Sequence, residues 1–494
     1  MPRFFRALVA LFACTAALPA IAFDRAPWLD DYAWLKHRLE ADYSHLAWFA
    51  STQGGVDLPA LDRRTLRALE TAENDADASA AIVAFAQGFH DGHFSQATTL
   101  ERTASAPVAA DKAPLAELDA ANACAALGYA PANVAFSLPF EVLRGTSLET
   151  DGIATTFRTA VTTLPDGRRV GIVRLQRFRE QDYGPAACLA EWSTRRAGGT
   201  VDVTAAKRAL SQGWYATLAA ILRHWHEAGV AAVLVDVGRN GGGDDSGDWT
   251  ARLFTPRDVR SARLLVAASP SSARYFDEQI DGLRDALKAH PQASRTTKRA
   301  ARAAQKAFEK RKASLATKPC DLAWAWRERR TWDASGCLRL ADAGHASGEL
   351  AFLAPAAERD RDVASAMYWP TEVDAHRGAW SGPVYVLTDD RTHSSAEMFS
   401  AVMRDNGIAK TLGTTTGGSG CGFMLSDDPL ELPHSHLRFR VPNCVRLRAD
   451  GTDEVAGIAP DIAILPTQGE DGSARAARAL REIAADLTKN TLSH

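Results

Sequence analysis

A hydroxyl attacks a carbonyl only where a base takes its proton and hydrogen-bond donors meet the charge that develops on oxygen. The segment Thr392-His393-Ser394-Ser395-Ala396-Glu397 puts a serine where such donors are available. Before it, Gly382-Pro383-Val384-Tyr385-Val386-Leu387-Thr388 is an apolar run of strand type. After it, Ala396, Met398, Phe399, Val402 and Met403 recur at helical spacing until Asn406-Gly407 ends the pattern. Ser394 therefore falls at a strand–turn–helix junction, beside the unpaired N–H groups and positive dipole end of a helix. The plain alternative is local. Ser394-x-x-Glu397 is also a capping box, which needs no chemistry to explain it.

Two more stretches hold suitable groups. Leu234-Val235-Asp236-Val237-Gly238-Arg239-Asn240-Gly241-Gly242-Gly243 runs from a buried-type strand into three glycines, whose backbone can approach a ligand closely at positive φ. Free N–H groups in that turn would supply a second oxyanion donor, although a turn that merely needs flexibility looks the same. The spacing fits neither a Rossmann nor a P-loop fingerprint, which argues against nucleotide binding. Phe89-His90-Asp91-Gly92-His93-Phe94 offers imidazoles, the natural general bases near neutral pH. Thirteen histidines occur, so a given one is more often an ordinary residue. His90-x-x-His93, His224-x-His226 and His434-x-His436 come without a cysteine or carboxylate set at a recognised spacing, and no metal is expected.

The elements that must position these groups read as follows. Residues 27–92 are all-helical, with Trp28, Tyr32, Leu35, Leu39 and Leu46 at helical spacing and a further helix opening at Asp75. Residues 104–168 form a β-rich intermediate segment, with short strands expected around 134–143 and 155–162. A strand at 169–175, an amphipathic helix over about 203–228 and a strand at 230–237 alternate as in a layered α/β core. Residues 256–345 break that rhythm as a basic helical insertion. Nine basic residues and one acidic residue lie between Arg295 and Lys318, the pattern of a solvated helix face or of attraction to an anionic surface. Strand signals return at 349–353, 384–387, 409–412, 436–441 and 462–465, and 471–487 closes the chain as a helix.

At 494 residues the chain can hold two or three domains, and its net charge of −3 gives no whole-protein reason to expect nucleic acid. Arg3 and Arg6 precede an apolar run from Ala7 to Ala20, and Ala20-Ile21-Ala22 fits a cleavage site, so residues 1–22 read as a secretory signal. Nothing later is long and apolar enough to anchor the mature chain in a bilayer. Export to the periplasm or medium makes disulfides the expected state of the six remaining cysteines. Proximity along the chain pairs Cys320 with Cys337, Cys421 with Cys444, and Cys124 with Cys188.

Taken in order, Asp91-Gly92-His93, the glycine-rich turn after Asp236 and Ser394-x-Ala396-Glu397 resemble the tail-specific (C-terminal-processing) serine peptidases. The bacterial processing enzymes of that family use a Ser–Lys dyad with the lysine 25 positions after the serine. Position 419 here is serine, which rules the dyad out. The resemblance is closer to the tricorn-core-like branch, which uses serine, histidine and a late glutamate. Glu454-Val455-Ala456-Gly457-Ile458-Ala459-Pro460-Asp461 is similar to that branch's Glu-x-x-Gly-Val-x-Pro-Asp. The resemblance implies His93 as base, Ser394 as nucleophile and Glu454 as the group orienting the imidazole. It also implies the N–H groups of Ser395 and Gly242 as oxyanion donors, with Gly241 as a substitute. Gly238 departs from the family's more frequent arginine, and no PDZ-like segment is evident between His93 and Arg169.

The fold implied is a crotonase/ClpP-like spiral α/β core in two parts, 169–255 and 346–470, with a helical domain at 23–103 and a C-terminal helix at 471–494. The function implied is an exported serine peptidase acting on polypeptides through an acyl-enzyme, without cofactor. Two alternatives use the same scaffold: an esterase, and a non-catalytic ligand- or peptide-binding protein. The last is favoured if His93 and Glu454 do not meet.

Overall fold

The computed structural model describes residues 23–97, 114–130, 134–316, 321–332, 340–422 and 429–492. The signal segment and the expected Cys320–Cys337 pair lie outside them. The other two expected pairs, Cys124–Cys188 and Cys421–Cys444, are bonded. No helix among the described residues is long and apolar enough to cross a membrane.

The centre of the molecule is a seven-stranded mixed sheet. Its strands lie in the order Ile462–Ala463, Lys410–Gly413, Val384–Thr388, Ala232–Asp236, Arg169–Arg174, Arg158–Thr163 and Thr146–Asp151. The first five run parallel and the last two add antiparallel. Alternation along the strands sorts side chains to the two faces. Val173, Val233, Val235 and Val386 pack with the helices Val203–Glu227 and Ser395–Asp405. Ile172, Leu234, Tyr385, Leu387 and Leu412 pack with the helix Gly472–Leu492 on the other side. Gly171 is required here, because a Cβ would lie 2.5 Å from the Trp225 ring that covers it. The strand expected around 134–143 is instead irregular with a short 3-10 turn at Phe140–Val142, and pairing begins at Thr146. Pro139 lies in that stretch, and proline cannot donate to a ladder.

The insertion is not wholly helical. Its strand Arg263–Ala267 pairs on one side with Leu340–His345 and on the other with Cys444–Leu447. Between them stand the helices Ala273–Ala289 and Arg295–Ala313, packed through Phe276, Ile280, Leu283, Ala301, Ala304 and Phe308.

The N-terminal helices Ala26–Asp42, Leu58–Thr71 and Asp75–Gln87 bury an aromatic core of Tyr32, Tyr43, Phe49, Phe85, Phe89 and Phe94. That core continues into Leu432, Phe439 and Val455 from the far end of the chain. Ser95 and Gln96 then pair antiparallel with Arg440 and Phe439. This docking carries the Asp91–His93 turn toward the loops at the end of the central sheet that bear Ser394.

One buried ion pair braces the segment after the glycine turn. Arg252 and Asp248 are both fully buried and meet at 2.8 Å. The guanidinium also reaches Tyr368 Oη at 2.9 Å and Ser261 Oγ at 2.8 Å. Arg252→Ala would leave Asp248 buried and uncompensated. It is expected to cost about 3–5 kcal/mol of stability in denaturant unfolding, and a loss below about 1 kcal/mol would refute that account.

Candidate active site

Strand Val384–Thr388 ends at Asp389, whose Oδ1 accepts from Arg391 N at 3.0 Å and Arg239 N at 2.8 Å. One carboxylate thus ties the serine turn to the glycine turn. His393 N adds a second tie by donating to Asn240 O at 2.9 Å. Ser394 follows with φ +55° and ψ −120°, backbone space that a non-glycine residue enters only when its surroundings hold it there. The helix Ser395–Asp405 starts at the next residue.

The holding group is Glu397. It is fully buried and accepts four hydrogen bonds. Oε2 takes Ser394 N at 2.9 Å and Ser419 N at 3.0 Å, while Oε1 takes Thr416 Oγ1 at 2.6 Å and Gly418 N at 2.7 Å. Burial holds its pKa above the usual carboxylate range, and the four donors oppose that rise without cancelling it. The capping-box glutamate therefore fixes both the serine's backbone and the loop 416–419.

His93 arrives from the helical N-terminal region. Its Nε2 lies 3.0 Å from Ser394 Oγ across 301 residues of sequence. Its Nδ1 lies 3.2 Å from the carbonyl oxygen of Ser419. A carbonyl can only accept, so Nδ1 carries the proton and the Nε2 lone pair faces the serine hydroxyl. Ser394 Oγ–H then donates to Nε2. The His93 backbone N–H is held by Asp91 Oδ1 at 2.8 Å, and Asp91 Oδ2 accepts from Tyr43 Oη at 2.7 Å. Burial lowers the imidazole pKa to about 4, with the Arg446 cation adding to the effect and the Ser419 carbonyl opposing it. Burial pushes Asp91 up to about 6.

Glu454 does not take the expected place beside His93. It is fully buried, and its Oε2 accepts from Arg446 Nε at 2.6 Å. Arg446 Nη2 also donates to Gly420 O at 3.0 Å and reaches Ser394 O at 3.4 Å. The reason is electrostatic: a buried carboxylate with a buried guanidinium eight residues away pairs with it, since leaving both charges uncompensated is costly. The position facing His93 Nδ1 falls to Ser419, the residue standing where the dyad lysine would be. Its side chain points elsewhere in the same cluster, with Oγ 2.9 Å from His393 Nδ1. Disulfide Cys421–Cys444 joins the loop carrying that carbonyl to the strand carrying Arg446.

The glycine turn abuts the serine as its composition suggested. Gly242 has φ +100°, and a Cβ there would lie 2.7 Å from Ser394 Cβ and 3.0 Å from Ser395 N. Its N–H is not free, however, because it donates to Asn240 Oδ1 at 2.8 Å. Among the described residues the N–H groups of Ser395 and Gly241 have no acceptor. Asn240 is itself anchored through Nδ2 to Leu175 O at 2.9 Å. Sequence reasoning missed three contributors: the Ser419 carbonyl, Arg446, and Glu397 as more than a cap.

A serine on a strand-to-helix elbow, with an imidazole on its hydroxyl, is the layout of a serine hydrolase. The family model of peptidase family S41 matches residues 169–464, more than half of the chain, and the chain belongs to that family of serine-type peptidases. No curated protein sequence matches the chain. Among solved structures, mature CPAF is similar with a TM-score of 0.54 at 14% identity, over 94% of this chain and 98% of that one. A putative peptidase from Parabacteroides merdae aligns at 0.46 and 15% identity, over 93% and 96%. The photosystem II D1 C-terminal processing protease aligns at 0.33 and 13% identity, over 91% and 99%. The likeness to CPAF extends the shared fold beyond the family model's span to the N-terminal region that carries His93.

Proposed function

We propose that this chain is an exported peptidase that cleaves peptide bonds through an acyl-enzyme on Ser394, with His93 as base and the Ser419 carbonyl holding the imidazole. The observation that carries this reading is the 3.0 Å contact between His93 Nε2 and Ser394 Oγ, made by residues from opposite ends of the chain. Export draws its support from the leader-like N-terminus and the two disulfides.

In the first step His93 Nε2 takes the Ser394 proton as Oγ bonds to the substrate carbonyl carbon. The resulting oxyanion is met by the Ser395 N–H and by a glycine-turn amide, with Gly241 in the place expected of Gly242. The imidazolium returns its proton to the leaving amine, and water then releases the acyl group by the reverse sequence. A neutral carbonyl fixes the tautomer as a triad carboxylate does, yet adds less to the stability of the imidazolium. Asp91 Oδ1 lies 4.0 Å from Nδ1, and with its pKa pushed up to about 6 it adds negative charge beside the ring only above that pH. Glu454 acts at one remove by fixing Arg446, which spans the Gly420 and Ser394 carbonyls.

Labelling of the purified protein with a fluorophosphonate, followed by mass spectrometry, is expected to place the adduct on Ser394. Undiminished labelling of Ser394→Ala would end the assignment. An esterase would share every one of these residues, so turnover of casein against short-chain nitrophenyl esters separates the two hydrolases. The pairing of Glu454 with Arg446 instead of His93 is the outcome that favoured the binding-protein alternative. What supports the hydrolase against it is the Ser419 carbonyl, which keeps the imidazole oriented toward Ser394.

The low imidazole pKa has a pH consequence. Only the neutral ring can accept the serine proton, and protonation here sets in near pH 4 rather than 6.5. The acid limb of kcat/KM is therefore expected below pH 5, with the rate sustained at pH 5.5. A limb centred at 6.5 would show that His93 is not held as described.

A further inference from the structure

The basic stretch in the insertion has no part in the site above, and it folds into a one-sided charge row. On helix Arg295–Ala313, the residues Arg295, Arg299, Arg302, Lys306 and Lys310 are all exposed. They follow one another at intervals of three or four residues, which places them in a single stripe roughly 22 Å long at 1.5 Å per residue. Ala301, Ala304 and Phe308, buried against the helix Ala273–Ala289, lie on the opposite side. The other cations of the helix are used internally. Arg311 pairs with Glu349 and Asp342, Lys312 with Asp277, and Lys298 bonds to Pro291 O. None of the five stripe residues forms an ion pair or side-chain hydrogen bond among the described residues. The one acid of the helix, Glu309, accepts from Gln305 Nε2 at 2.9 Å.

This arrangement works against the helix that carries it. Every neighbouring pair in the stripe is a like-charge pair at i,i+3 or i,i+4, and Arg295 puts a cation at the positive end of the helix dipole. A row that burdens its own helix and is answered by no acid among the described residues is suited to an external anion. Its shape narrows the choice. The row is single and runs along one helix, and the only aromatic of the helix, Phe308, is buried. Single-stranded nucleic acid is gripped in grooves that add exposed aromatic faces, which are missing here. None of the large exposed apolar side chains lies on this helix, so nothing would insert into a hydrocarbon layer.

We infer that the outer face of helix Arg295–Ala313 adsorbs to the surface of a bilayer rich in anionic phospholipid, holding the protein at the membrane by charge alone. Each cation near such a surface raises partitioning roughly five-fold, and salt screens the effect. The full mature chain is expected to sediment with vesicles of phosphatidylcholine and phosphatidylglycerol at low salt, and to stay in solution with phosphatidylcholine alone. Raising the salt should release it. The triple substitution Arg299→Glu, Arg302→Glu and Lys306→Glu should weaken binding by about 100-fold or more. Replacing both arginines by lysine should leave binding nearly intact. Hydrolysis of a soluble peptide should be unchanged in both variants, which also reports that they fold. The salt titration on the native chain needs no variant at all. Equal binding to neutral vesicles, no binding to either kind at low salt, or unaltered binding after charge reversal would overturn the inference. So would tighter binding to a short DNA fragment than to anionic vesicles at the same salt.

Discussion

His93→Ala is expected to lower kcat/KM for peptide hydrolysis by about 10⁴-fold or more while the protein stays folded. The tautomer of the ring decides this. Because the Ser419 carbonyl can only accept, the proton of a neutral His93 sits on Nδ1, and the bare Nε2 faces Ser394 Oγ at 3.0 Å. Removing the ring removes the only base in contact with that hydroxyl among the described residues. His393 is near in sequence, but its Nδ1 is engaged with Ser419 Oγ on the other side of the loop. Residues that act as one unit give non-additive losses, so His93→Ala combined with Ser394→Ala should be little worse than either alone. Additive losses would mean that the two side chains serve separate steps. The backbone N–H stays with Asp91 in the variant, so the turn that carries the residue keeps its anchor.

The two residues of the proposed dyad differed in how plainly the sequence announced them. Ser394 was readable because a strand-type run and a helix-type run flank it within a few residues, and local periodicity is the strongest sequence signal. His93 was readable only through the order of motifs, since nothing local says that a turn after the N-terminal helices will dock 301 positions away. The docking surface consists of Phe439, Leu432 and Val455, apolar residues with no sequence mark of their partners. Glu454 misled because spacing along a chain does not tell which cation a buried carboxylate will meet, and Arg446 lies on the neighbouring strand. Gly242 misled for a local reason that could have been seen. Asn240 stands two residues earlier, and asparagine oxygens commonly accept from the backbone two residues on. The Ser419 carbonyl had no signature at all, because a backbone oxygen is the same at every residue. Reading position 419 for a lysine therefore found only a departure, where the structure has an acceptor.

Glu397→Ala is expected to reduce kcat by about 10²–10³-fold, with less effect on KM, although Glu397 touches neither substrate nor the reacting oxygen. Its carboxylate is the common anchor of the two halves of the dyad. Through Oε2 it holds the strained Ser394 backbone and the Ser419 amide, and through Oε1 it holds Thr416 and Gly418. Without it, three N–H groups lose their acceptor, that of Ser419 among them buried, and the carbonyl facing His93 and the elbow bearing Ser394 are both free to shift. A shift on the order of 1 Å is enough for a loss of about 10²-fold. Glu397→Gln is the informative comparison. With its oxygen toward Ser394 N and Ser419 N, the amide nitrogen faces Thr416 Oγ1, which can turn to accept, and only Gly418 N is left opposed. Glutamine should therefore keep activity within about ten-fold of the native enzyme, whereas aspartate, one methylene shorter, should fall close to alanine. A merely structural role predicts another ranking: activity would follow the folded fraction in thermal melts. Fluorophosphonate labelling rates of the fully folded fraction decide between them. Equal rates for the alanine variant and the native chain, once folding is allowed for, would show that Glu397 supports the fold and not the geometry of attack.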